Sequence, residues 1–225
     1  MNREYVTKST RIPKYEMENV TIHGIDYKMN NILGSGAFGT VYLATDITNN
    51  RLVAIKVIKI KEEEQIENIE RELECLKRLE KYCNKYVLCY IDSDFIQIKH
   101  KFQNKEYTED KYIIVTKFLE NYISMKLFKK KHPKDSKERM EVATNIRDGL
   151  KHIHEQKITH GDIHDENVLV HVGTLDIRFI DFGFCKISPM EKYYKNDIST
   201  MEKIVMDDVL EDEDELISFF KPSQK

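Results

Sequence analysis

The sequence predicts an α+β chain, and three observations carry that prediction. Strand-like runs rich in β-branched residues occupy the first half, at Met29–Leu33, Val41–Ala44, Leu52–Ile58 and Tyr112–Leu119. Apolar residues at helical spacing mark Lys61–Cys83 and, later, the stretch 135–155. After that second helix comes an acidic loop, His160-Gly161-Asp162-Ile163-His164-Asp165-Glu166-Asn167, and then a second acidic turn at Asp181-Phe182-Gly183. Strands gathered in one half and helices in the other belong to the α+β class, and 225 residues are enough for two small lobes sharing a cleft.

Composition narrows the function classes. With 40% hydrophobic and 33% charged residues and few Gly and Pro, the chain is neither disordered nor collagen-like. A formal net charge of -3 offers no basic surplus for nucleic acid or an anionic membrane, so neither is expected as a partner, and Lys129-Lys130-Lys131 reads as a solvated loop. Met1 to Tyr5 lack the apolar run of a secretory signal, and nowhere do about eighteen apolar residues follow one another. The expected location is therefore intracellular, in the cytoplasm. Cys75, Cys83, Cys89 and Cys185 form no Cys-x-x-Cys pair, so they are expected to be reduced fillers, neither zinc ligands nor disulfide partners.

Taken in chain order, residues 1–24 contain Pro13 and no strong periodicity, and read as an extension or irregular edge segment. Gly34-Ser35-Gly36-Ala37-Phe38-Gly39-Thr40-Val41 lies between two strand-like runs. Three glycines allow a hairpin to close over phosphates with its amides exposed, and the β-branched residues that follow argue against the opening of a Rossmann helix. Leu52-Val53-Ala54-Ile55-Lys56-Val57-Ile58 is apolar except for one lysine, and burying Lys56 without a phosphate or carboxylate partner would be costly. The next helix supplies acids in several positions, with Ile66, Ile69, Leu73, Leu76 and Leu79 on its apolar face. Glu62, Glu63 and Glu64 read as first-turn charges favoured by the helix dipole. Glu70, Glu72 and Glu74 compete as partners of Lys56.

Tyr112–Leu119 reads as a buried strand running into a connector. Asp135-Ser136-Lys137-Glu138 has capping-box character, with Asp135 as the cap, and Met140, Ala143, Ile146, Leu150 and Ile153 continue the helix to about Glu155. In the loop beyond it, Asp162 and Asn167 place a proton acceptor and an oxygen ligand five positions apart, and Asp181 can complete a site for Mg2+, which needs few protein ligands.

Together these segments resemble the protein kinase family over about residues 27–210: the glycine loop, Val53-Ala54-Ile55-Lys56, the His160 to Asn167 loop and Asp181-Phe182-Gly183. The resemblance implies a bilobal fold. Its N-lobe, 25–118, would be an antiparallel sheet with one helix, and its C-lobe, 119–225, would be reduced and mainly helical. It implies ATP and Mg2+, with Mn2+ as the alternative ion, and transfer of the γ-phosphate to a serine or threonine hydroxyl of a protein substrate. Leu33, Gly34, Ser35, Gly36, Ala37, Phe38, Gly39 and Val41 would cover the nucleotide, and Ala54 and Leu169 would join Val41 around the base. Thr116 would stand behind the base, with Lys117, Phe118 and Leu119 presenting backbone groups to its edge. Lys56 would pair with Glu72; Asp162 would align the acceptor hydroxyl; Asn167 and Asp181 would hold the metal.

Two positions depart from the family pattern. Gly161 stands where many kinases carry an arginine that receives a phosphorylated activation loop, so control by that route is not expected. His164 stands where serine/threonine kinases usually carry lysine, and is expected to act as a hydrogen-bond donor on the phosphate side. Only residues 184–196 separate Gly183 from Asp197, where the next family helix is expected to begin, and Ser188-Pro189-Met190-Glu191 reads as a turn. The shortened segment implies an activating protein partner or constitutive competence. A small-molecule phosphotransferase, a subunit like the small kinase of the KEOPS complex, and a non-enzymatic pseudokinase module stand as alternatives. The acidic run 211–215 reads as a solvated face.

Overall fold

The computed structural model describes residues 19–36, 39–83, 85–102, 105–134 and 136–206. Six antiparallel strands form the first layer: β1 (Asn19–Ile22), β2 (Ile25–Gly36), β3 (Gly39–Asp46), β4 (Arg51–Lys59), β5 (Tyr90–Phe102) and β6 (Lys105–Lys117), in spatial order β1-β2-β3-β4-β6-β5. Period-2 alternation divides its two faces. Val53, Ile55 and Val57 of β4 and Ile113 and Val115 of β6 are buried with Val20, Ile22, Tyr27 and Ala44 on one side. Ala54, Lys56, Ile58, Ile114 and Thr116 fall on the other. The register sets Ala54 opposite Thr116 and Lys56 opposite Ile114, so the strand that carries the lysine also carries apolar surface beside it.

Two strands of this sheet go beyond the sequence reading. β1 extends the sheet into the segment read as irregular, through a tight turn in which His23 and Gly24 both take positive φ, 46° and 82°. Such a two-residue turn matches strand twist, but His-Gly is a weaker signal for it than Asn-Gly. β5 escapes notice because it is an edge strand, charged and polar at alternate positions, a composition that discourages pairing with other chains.

Helix α1 (Glu63–Leu79) packs on the second face of the sheet. Ile69, Leu73, Leu76 and Leu79 are buried along one stripe, each such side chain contributing roughly 1.5–3 kcal/mol relative to exposure. Its start is fixed by Gln65, whose Oε1 accepts from the Lys61 and Glu62 amides at 2.7 and 3.3 Å, and a 3₁₀ turn, Glu80–Tyr82, ends it.

The remaining elements are β7 (Tyr122–Ser124), α2 (Met125–Lys131), α3 (Lys137–Glu155), β8 (Ile158–Thr159), β9 (Val168–His171), β10 (Ile177–Phe179), β11 (Lys186–Ile187) and α4 (Glu191–Met206). A three-stranded sheet, β10-β9-β7, and the pair β11-β8 hold the loops between them. The cap of α3 is Ser136, whose hydroxyl accepts from the Arg139 amide at 3.3 Å; Asp135 lies outside the described residues. Met140, expected on the apolar stripe, is 39% exposed; Val142 and Gly149 join Ala143, Ile146, Leu150 and Ile153 instead. The Lys129-Lys130-Lys131 run is the last turn of α2 and not a loop, and Lys129 pairs with Asp165 at 2.8 Å. Helix α4 begins at Glu191, six residues before the expected position, so Asp197 lies inside it. The Ser188 turn, with φ 48°, leads into that helix.

The cysteine expectation fails. Cys75 of α1 is bonded to Cys185, 110 residues away, and Cys83 to Cys89 across the turn before β5. Spacing could not reveal the first pair because only the packed fold brings its halves together. No helix among the described residues is long and apolar enough to cross a membrane. Residues 1–18 and the acidic run 211–215 lie outside the described residues.

Candidate active site

Where α1 crosses the sheet, Lys56 meets two carboxylates. Its Nζ donates to Glu72 Oε1 and Oε2 at 2.8 and 2.9 Å and to Asp181 Oδ1 at 3.0 Å. Lys56 is buried enough for desolvation to work against its charge, but Glu72 and Asp181 outweigh that and hold the ammonium above its ordinary value. The competition among acids on α1 is thereby decided. Glu72 is 5% exposed, whereas Glu70 is exposed and Glu74 pairs with Arg78 on the surface.

The loop between β8 and β9 assembles a second group. Asn167 Nδ2 donates to Asp162 O and Oδ2, both at 3.0 Å, which turns the amide oxygen of Asn167 the other way. His164 Nε2 stands 3.5 Å from Asp162 Oδ2. The loop is clamped at its shoulders by Lys129–Asp165, 2.8 Å, and Lys126–Glu166, 2.7 Å. Asp181, at φ 63°, holds a left-handed conformation that non-glycine residues adopt at a cost, a common mark of a functional turn.

Asp197 organises the loop, a role that the sequence reading did not give it. It is 1% exposed, and its carboxylate accepts from the His160 amide at 2.7 Å and the Gly161 amide at 2.9 Å while also meeting His154 Nε2 at 3.0 Å. A signal was present: Asp197 shares a helical stripe with Met201, Ile204 and Val205, all buried, and an acid on an apolar stripe needs buried donors. His160 is itself buried, and burial lowers its pKa against the pull of Asp197, so the ring is neutral. Its Nε2–H donates to Ile180 O at 3.0 Å, leaving Nδ1 to accept from the Asp162 amide at 3.3 Å. One neutral imidazole thus ties the Asp162 loop to the strand that leads into Asp181.

Gly161 has a steric reason. Its φ is 83°, and a Cβ there would stand 2.3 Å from the Phe184 carbonyl oxygen. An arginine could not occupy this backbone as it stands. Gly161→Ala should cost at least about 2 kcal/mol, the left-handed strain of roughly 1–2 kcal/mol plus the clash. Urea unfolding beside Gly173→Ala, where a Cβ would meet only the His171 ring, at 3.4 and 3.7 Å, measures this; equal losses in the two variants would contradict it.

The glycine hairpin joins β2 to β3. β2 and β3 pair Gly34 with Val41, Ser35 with Thr40 and Gly36 with Gly39, and the Ser35 and Thr40 hydroxyls lie 3.1 Å apart. Ala37 and Phe38, at the tip, lie outside the described residues. A Cβ on Gly34 or Gly36 would meet nothing within 4 Å, which leaves open space at this hairpin. Gly39 differs, since at φ 124° its absent Cβ would strike Val57 O at 2.3 Å. Val41, Ala54 and Leu169 are partly exposed, the latter two between fully buried strand neighbours, and Leu33 is 48% exposed. Thr116 is buried, with its hydroxyl 3.4 Å from Ala54 O. The Lys117 amide is spent on Cys89 O at 2.9 Å, so it does not face outward as a donor.

The donor set suits a divalent ion shared with phosphates. Asn167 and Asp181 offer hard oxygens, and no cluster of three or more His, Cys, Asp or Glu that could hold a metal by itself exists among the described residues.

Comparison with known proteins gives this geometry a context. The protein kinase domain family matches residues 27–204. The chain is 28% identical over 195 residues to mitogen-activated protein kinase kinase kinase nsy-1 of Caenorhabditis elegans, covering 81% of this chain and 12% of that protein. It is 27% identical to serine/threonine-protein kinase PLK2 of Mus musculus, covering 75% of this chain and 23% of the relative. It is 26% identical to serine/threonine-protein kinase cds1 of Schizosaccharomyces pombe, covering 72% and 33%. The chain thus spans between about an eighth and a third of the length of these relatives.

Proposed function

The chain belongs to the protein kinase family and has its bilobal fold, and from that premise we propose that it transfers the γ-phosphate of ATP to serine or threonine hydroxyls of protein substrates. The observation that carries the proposal is Lys56 held between Glu72 and Asp181, with Asp162 and Asn167 joined on the adjacent loop. Residues 25–118 form the nucleotide-binding lobe in this reading and 119–225 the catalytic lobe.

Lys56 grips the phosphates of ATP, oriented by Glu72. Leu33 and the hairpin from Gly34 to Gly39 cover the phosphates; Val41, Ala54 and Leu169 take the faces of the base. Thr116 lines the back, and the backbone of Lys117, Phe118 and Leu119, less the Lys117 amide, meets the base edge. Mg2+, or Mn2+ in its place, supplies charge neutralisation when bound by Asn167 and Asp181. Asp162 accepts the hydrogen bond of the substrate hydroxyl and aligns it for in-line attack, so positioning supplies most of the catalysis. His164 donates to the phosphate side, close enough to Asp162 that both address the same small volume.

Regulation by a phosphorylated activation loop is absent in this reading, because Gly161 removes the receiving arginine and α4 starts eight residues after Gly183. A protein partner supplies the missing substrate platform, or the enzyme is competent without one. The test is incubation of the chain with γ-labelled ATP, Mg2+ and a library of serine- and threonine-containing peptides. Label on hydroxyl side chains is expected. Label appearing only on offered aminoglycosides or choline, or only in free phosphate, would overturn the protein acceptor.

A further inference from the structure

We infer that Cys75 and Cys185 form a reversible thiol–disulfide site that couples the redox poise of small thiols to the arrangement around Lys56. The inference rests on the kinase reading for its effect on phosphoryl transfer, but not for the bond itself.

The position of the bond carries the argument. Cys75 lies three residues after Glu72, on the same side of α1, and Cys185 lies four residues after Asp181. Glu72 and Asp181 are the two carboxylates that hold Lys56. The disulfide therefore staples together the two elements whose separation would pull those carboxylates apart. Their closeness is independently visible at Gly183, where a Cβ would stand 3.3 Å from Asp181 Oδ1 and 3.9 Å from Glu72 Oε2.

The chain around Cys185 offers a route for exchange. Both cysteines are fully buried, but a cavity of about 190 Å³ is lined by Arg71, Thr159, Gly161, Phe184, Lys186, Tyr193 and Asn196. Phe184 and Lys186 flank Cys185 in the chain, and Cys185 Sγ lies 3.5 Å from the Arg71 carbonyl oxygen. Neither sulfur lines that cavity, but it runs along both chain neighbours of Cys185, and Phe184 is 48% exposed, so a local opening of this short segment bares the sulfur at which exchange takes place.

The step balances with a small-molecule disulfide as oxidant. The Cys185 thiolate attacks one of its sulfurs and releases the first thiol; the Cys75 thiolate then attacks Cys185 Sγ in the mixed disulfide and releases the second. Two protein thiols are oxidised by two electrons, and one small disulfide becomes two thiols carrying the two protons. A small thiol in excess runs the sequence backward.

The experiment equilibrates the full chain in glutathione buffers of graded oxidised-to-reduced ratio, quenches with an alkylating agent and maps the peptides without reduction. A Cys75–Cys185 peptide should form and vanish reversibly, amide exchange across 72–79 should slow in the oxidised form, and phosphate transfer should rise about tenfold with it. Cys83→Ala/Cys89→Ala should keep these responses, and Cys75→Ala/Cys185→Ala should lose them. Absence of the peptide at every ratio, its survival in excess reduced glutathione, or its formation with unchanged exchange would each overturn the inference. Should the Cys75→Ala/Cys185→Ala variant not fold, the wild-type exchange pattern decides alone. Redox-dependent exchange with no transfer in either state would uphold this site and overturn the kinase activity instead.

Discussion

Asp162→Asn is expected to lower kcat by roughly 10²–10⁴-fold, the usual worth of a positioned proton acceptor, while changing folding stability by no more than about 1 kcal/mol. The asymmetry follows from what the substitution keeps. Asp162 Oδ2 accepts from Asn167 Nδ2, and an amide oxygen in the same place accepts it as well. The backbone bond from Asn167 to Asp162 O and the amide bond to His160 Nδ1 do not involve the carboxylate. What is lost is the negative charge that aligns a hydroxyl and takes up its proton. ATP affinity should be little changed, because none of the groups that would bind the nucleotide is touched. Steady-state kinetics, nucleotide titration and urea unfolding on the same preparation separate these effects. A kcat within tenfold of the wild type would show that Asp162 is a turn residue and not part of the chemistry.

How much of this could be seen in the sequence depended on whether the signal was local. Strand β4 was legible because Lys56 interrupts an apolar run, and α1 because four buried residues recur at helical spacing. Asp162, Asn167 and Asp181 were legible as a set of residue types at set distances. The choice of Glu72 over its neighbours needed the resemblance, since three acids on one helix satisfy the same composition and only packing decides which is buried. Contacts between distant segments were not legible. Asp197 reaches back 36 and 37 residues to two loop amides, and Cys75 meets Cys185 across the cleft between helix and loop. Gly161 was read as a lost arginine; the reason that it must be glycine, the Phe184 carbonyl beneath it, belongs to the fold alone. Edge strands β1 and β5 were missed because an edge is selected for polarity, which thins the apolar signal that reveals a strand.

Lys56→Met should destabilise the fold by about 3–5 kcal/mol, the cost of breaking a buried pair by removing one partner, as well as abolishing nucleotide binding. Lys56 and Glu72 are 15% and 7% exposed in their side chains, so water cannot replace the ammonium. Burial pushes the Glu72 carboxyl up, and Lys56 pulls against it; without the lysine, desolvation and the nearby Asp181 act unopposed. The sign of the pH dependence follows. A carboxyl with a folded pKa above its unfolded value takes up a proton on folding, so its stability contribution is intact below the unfolded pKa and fades as pH rises through the folded one. Lys56→Met should therefore lie closest to the wild type near pH 5 and fall away from it toward pH 8. Adding Glu72→Gln removes the stranded charge, and the double variant should be more stable at neutral pH than the sum of single losses predicts, by roughly 1–3 kcal/mol of coupling. Unfolding of the four proteins at several pH values tests the argument. A pH-independent gap between wild type and Lys56→Met, or strict additivity in the double variant, would mean that Lys56 contributes through its methylene packing and not through its charge.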